Sequence, residues 1–127
     1  MIIKKFISVT LITIVWLAVI YTESSQPPPK IFGVIPGLDK VAHFVVYGIL
    51  GAMILTLLIH VNRIFKIPYF QLTLFLVVLA GIFDEFHQSF VPTRNTDGWD
   101  LFADFCGGLF TIFIIERLLR RRKACHV

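Results

Sequence analysis

Asp84, Glu85, His87 and Gln88, with Arg94, Asp97, Asp100 and Asp104 further along, are the residues of this chain best equipped for chemistry. Carboxylates held close together separate their pKa values and can divide acid and base roles. A histidine exchanges protons near neutrality, and an arginine clamps an anion. These residues stand between two apolar runs, Phe70 to Phe83 and Phe105 to Ile115. A helix rises about 1.5 Å per residue, so crossing a hydrocarbon core of roughly 30 Å takes about 20 residues. Neither run reaches that length unless its helix continues into the acids. Asp84, Glu85 and Asp104 are then submerged, at about 2.5–3.5 kcal/mol each unless paired, hydrated or neutralised.

The composition places the chain in a bilayer. Of 127 residues, 57% are hydrophobic and 16% charged, against about 25% charged in a soluble domain. Mean hydropathy is +0.82. The expected fold is all-α and polytopic, one membrane domain over residues 1–127, with four transmembrane helices at about 6–21, 38–61, 69–90 and 99–120. The first begins after Lys4 and Lys5 and is expected to be retained, because Val19-Ile20-Tyr21-Thr22 offers no small-x-small cleavage pattern. Trp16 and Tyr21 suit an interfacial aromatic belt. Glu23 to Leu38, with three consecutive prolines, reads as a loop.

In the second helix Asp39 is placed to cap free N–H groups. Asp39, His43 and Tyr47 follow at intervals of four and stack on one face. Gly48, Gly51 and Ala52, like Gly107, Gly108 and Thr111, have the small-residue spacing that lets helices approach closely. With Lys4 and Lys5 inside, nine of the twelve basic residues fall on the inner side and seven of the eight acids on the outer side. The positive-inside rule therefore predicts N-in/C-in, with the polar constellation facing out. The net charge of +4 is divided among loops and is not a nucleic-acid signal. Cys106 and Cys125, about 28 Å apart along one helix, are too distant for a disulfide.

Asp39, His43, Asp84, Glu85 and Arg94 are the candidate catalytic residues, and Tyr47, Gln88, Asp100 and Asp104 the candidate binding residues. Three readings compete. In an enzyme acting on a lipid-linked or cell-wall-related substrate, His43 or Glu85 is the base and Arg94 clamps a phosphate. A divalent metal on Asp84, His87 and Asp104 would fit such an enzyme, although the spacing matches no metal motif and no cofactor is specified. In a binding or structural protein, Asp84 and Asp104 pair with Arg94 and Lys40 and only lock the helices. A proton or cation path is the third, opposed by the almost wholly apolar inner halves of the helices.

Asp39-Lys40-x-x-His43-Phe44-x-x-Tyr47, Asp84-Glu85-x-x-Gln88, Pro92-x-Arg94 and Asp100-x-x-x-Asp104-x-x-Gly107 resemble the motifs of the VanZ-like family of small bacterial membrane proteins. The match covers about residues 38–108, and members often carry Asn where this chain has Asp104. The resemblance implies a multi-pass protein of the bacterial cytoplasmic membrane, with the bilayer and an envelope molecule or a lipoglycopeptide as partners. The founding member is associated with teicoplanin resistance.

Overall fold

A computed structural model describes residues 2–124. Among them are five helices and no strand: α1 (Ile2–Ser24), α2 (Lys30–Val34), α3 (Leu38–Phe65), α4 (Tyr69–Gln88) and α5 (Gly98–Ala124). The four long helices run alternately up and down. The C-terminal ends of α1 and α4 thereby meet the N-terminal ends of α3 and α5.

Local chemistry sets the boundaries. Gly37 precedes α3 in the left-handed region, φ 78°, where a side chain would be strained. Asp97 precedes α5 and accepts from the Trp99 N–H at 3.0 Å, satisfying one of the free donors of the first turn. Asp39 does not cap α3. The helix has no side-chain cap, and the Asp39 carboxylate turns to Lys40 instead. The segment expected to be all loop is partly helical. α1 continues to Ser24, and Lys30–Val34 forms one turn of helix after the extended prolines, closing on Ile35 N–H to Ile31 O at 3.1 Å.

Among the described residues three helices are long and apolar enough to cross a membrane: Ile3–Ser24, Leu38–Asn62 and Tyr69–Gln88. α5 has the length, 27 residues, but carries Asp100 and Asp104 early and Glu116, Arg117 and Arg120 late, and is not among them. The apolar faces of α1 point outward, with Leu11, Ile14 and Val15 more than half exposed. That distribution suits lipid rather than water.

α3 is the centre of the bundle and packs most extensively on α5. Their seam is glycine on glycine. A Cβ on Gly107 would collide with the Phe44 backbone carbonyl, and one on Gly51 would meet Gly108 Cα at 3.3 Å. The Thr111 hydroxyl donates to the Gly48 carbonyl at 2.8 Å. In lipid such close packing and interhelical hydrogen bonds hold helices together, since apolar surface gains little by changing neighbours. Tyr47, Leu50, Leu55 and Val77 fill the core. Trp16, expected in an interfacial belt, instead packs against this core and donates to the Val46 carbonyl at 3.2 Å. Cys106 is partly buried, and Cys125 lies outside the described residues.

Candidate functional site

The polar residues converge where the four helix ends meet, and they do so in layers. In the outermost layer Lys40 Nζ reaches Asp39 Oδ2 at 3.0 Å, Asp97 Oδ2 at 2.7 Å and Asp100 Oδ1 at 3.0 Å. One ammonium thus gathers three carboxylates from α3, α5 and the turn before it. Asp97, outside the apolar spans, has its carboxyl held below the ordinary range, first by the Lys40 hydrogen bond and then by the Trp99 N–H.

One helical turn deeper, His43 Nδ1 lies 2.9 Å from Asp104 Oδ1. Asp104 is fully buried, and its second oxygen has no partner among the described residues. That oxygen fits only because residue 81 is glycine, since a Cβ there would stand 2.6 Å from it. The Tyr47 ring lies parallel to that of His43, with centroids 6.0 Å apart. Its hydroxyl is buried without a hydrogen-bond partner among the described residues.

Asp84 forms the third group. Its Oδ1 accepts from the buried Ser24 hydroxyl at the end of α1, and its Oδ2 from Gln88 Nε2 at 2.9 Å. Glu85, on the neighbouring face of α4, accepts the Asp97 N–H through Oε2 at 3.0 Å, while Oε1 is buried with no partner among the described residues.

Asp39, His43, Tyr47, Asp84, Glu85, Gln88, Asp100 and Asp104 are therefore gathered at one end of the bundle. Arg94 joins them differently. It donates through Nε to the Gln26 carbonyl at 3.0 Å and through Nη2 to the Glu23 carbonyl at 2.9 Å. It latches the last turn of α1 and the chain just beyond it, adding a second donor to the Glu23 carbonyl, which already accepts the Gln26 N–H at 3.1 Å. The pairing of Asp84 and Asp104 with Arg94 and Lys40 does not occur; Ser24, Gln88 and His43 are their partners. The metal trio of Asp84, His87 and Asp104 is not assembled either. His87 turns away to Ser25 Oγ at 2.9 Å and to the Tyr21 ring at 4.5 Å. The ligating atoms of His43, Glu85 and Asp100 instead lie within 4.8 Å of one another. Sequence reasoning missed Ser24 and Ser25. The only signal was their position directly after an apolar run, which reads as a loop.

Cavities among the described residues adjoin the cluster. One of about 180 Å³ reaches His43, Tyr47, Asp84 and Gln88. A second, of about 250 Å³, is lined by Pro28, Asp39, His43, Thr93, Arg94 and Asp100, above the first. A third, of about 490 Å³, runs between α1 and α4 past Tyr21, Phe83, Phe86 and Phe90 to Tyr47 and Asp84.

Compared with known protein families, residues 2–120 match the VanZ/LLP1 model. The chain belongs to the VanZ/LLP1 family. The match extends beyond the motifs at residues 38–108 to take in α1, whose Ser24 and carbonyl ends complete the VanZ-like cluster. Neither a curated protein nor a solved structure matches the chain.

Proposed function

We propose that this VanZ/LLP1 protein crosses the bacterial cytoplasmic membrane four times with both termini inside, and that its outward-facing site receives the headgroup of a lipid-linked or cell-wall-related molecule. The orientation rests on the charge division in the loops. A fourth span is supported by the glycine seam between α3 and α5. It is also supported by the pairing of Asp100 with Lys40 and of Asp104 with His43, which lowers the cost of submerging them.

The observation that carries the substrate class is the cavity at His43, Tyr47, Asp84 and Gln88. It shares Tyr47 and Asp84 with the aromatic groove between α1 and α4, and His43 and Arg94 with the polar opening above. A molecule with an apolar tail and a polar head fits that junction. Asp84, Glu85 and His43 are then the acid–base groups. Asp39 and Arg94 flank the entrance, and Tyr47, Gln88, Asp100 and Asp104 bind. A response to lipoglycopeptides such as teicoplanin is the corresponding phenotype. A second reading, in which the network only locks helices, is favoured by Lys40 and Arg94, each of which ties separate segments together.

Native mass spectrometry of purified protein separates the two. On the first reading wild type retains an envelope lipid that Asp84→Asn and Gln88→Ala lose while staying folded. Equal retention in all three, or loss of folded protein in every variant, supports the lock.

A further inference from the structure

We propose that His43, Glu85 and Asp100 form a binding site for one divalent transition-metal ion, with Asp104 as the residue that positions His43. The site draws one ligand from each of α3, α4 and α5; with an ion bound, His43 and Glu85 serve as its ligands and the acid–base role in the neighbouring cavity falls to Asp84.

Four observations converge on it. The ligating atoms already lie within 4.8 Å of one another. A tetrahedral site with bonds of about 2.0–2.1 Å has ligand separations of roughly 3.4 Å, so the arms close by at most about 1.5 Å, a matter of side-chain rotation. Glu85 Oε1 is buried with no partner, while Oε2 is fixed by the Asp97 N–H, so the free oxygen is the one offered. His43 Nδ1 is engaged by Asp104, which leaves Nε2 for the ion. A carboxylate on the distal nitrogen is the usual support of a metal-bound histidine, fixing its tautomer and raising its basicity. Asp104 is fully buried, as such a support must be.

Charge points the same way. Asp39, Asp97 and Asp100 share a single ammonium, and Glu85 has no cationic partner within ion-pair distance among the described residues. An ion bound there offsets this excess. One imidazole with two carboxylates favours zinc or manganese over magnesium or calcium, which prefer oxygen alone. The polar cavity bordered by Asp39, His43 and Asp100 gives the ion an entry from water and leaves room for a water ligand.

Protein purified without a polyhistidine tag, stripped with chelator and titrated with Zn²⁺ or Mn²⁺ should take up about one equivalent, undisturbed by Mg²⁺. Glu85→Gln keeps an acceptor for the Asp97 N–H but removes the charge, and should weaken uptake at least tenfold. Asp104→Asn should weaken it about 10–100-fold, and Glu116→Gln, at the other end of α5, not at all. Failure of wild type to bind overturns the site, as does binding that survives both Glu85→Gln and His43→Gln. Should those variants not fold, Co²⁺ added to wild type decides. Intense visible bands of four- or five-coordinate cobalt support the site, and the pale spectrum of the hydrated ion overturns it.

Discussion

Ser24, the last residue of α1, donates its hydroxyl hydrogen to Asp84 of α4 in a buried contact that joins two helices sixty positions apart. Removing that donor leaves a buried carboxylate oxygen unsatisfied, at about 1–3 kcal/mol. Ser24→Ala should therefore lower the Tm in detergent by several degrees, and Ser24→Thr should lower it less. Thermal unfolding followed by circular dichroism measures both. An unchanged Tm for Ser24→Ala would show that the contact contributes nothing net.

Arg94 holds the same helix end by a fork onto two carbonyls. Lysine supplies the charge without the planar pair of donors, so Arg94→Lys should fail to restore what Arg94→Ala loses, about 1–2 kcal/mol for charged hydrogen bonds of this partly exposed kind. Protease cleavage in the 25–37 segment should accelerate in both variants. Wild-type cleavage rates in Arg94→Lys would mean that charge alone suffices.

The seam between α3 and α5 tolerates no side chain at Gly107. Gly107→Ala should destabilise by about 1–3 kcal/mol, as overpacking does. Gly33→Ala, where a Cβ meets nothing within 4 Å, should be neutral. Comparison of the two melting curves tests the seam and controls for composition.

The Lys40 cluster makes stability depend on acid. The Asp97 carboxyl is held below its ordinary range, so its contribution is fully present above the unfolded pKa of about 3.9 and disappears as pH falls through the folded value. Stability should fall below about pH 4, and Asp97→Asn should flatten that part of the profile. A profile that keeps its slope in Asp97→Asn would assign the acid sensitivity to other groups.

Sidedness is open to direct labelling. With Cys106 and Cys125 replaced by serine, a cysteine at Thr93 should react with a membrane-impermeant maleimide in intact cells, and one at Lys66 only after lysis. The reverse pattern would invert the orientation.

Much of the architecture was legible in the sequence, and the site less so. Apolar runs placed α1, α3 and α4, the last reaching spanning length only because its helix continues through Asp84 and Glu85 to Gln88, since length and hydropathy decide that a segment suits a bilayer. Spacing on single helices placed Asp39, His43 and Tyr47 on one face of α3, and Asp84 with Gln88 on α4. Partners across helices were not legible. His43 meets Asp104 because Gly107 lets α5 close on α3 and Gly81 leaves room for the carboxylate, and no periodicity encodes that registry. Arg94 read as a clamp for a phosphate because guanidinium favours anions. Its neighbours in space are instead the backbone carbonyls of Glu23, in the last turn of α1, and of Gln26, just beyond it, which no side-chain pattern reports. Lys30–Val34 was hidden by the prolines that precede it, since the single turn starts only where they stop.

The slot between α1 and α4 has a bearing on selectivity. Its walls are mostly apolar and aromatic, Phe83, Phe86 and Phe90 of α4 facing Leu17, Ile20 and Tyr21 of α1, with Asp84 and His87 as its carboxyl and imidazole side chains. A guest admitted sideways through it would keep its hydrocarbon portion among the surrounding acyl chains. Homologues of such a guest differing only in isoprenoid or acyl length should then compete equally, and discrimination would fall entirely on the head.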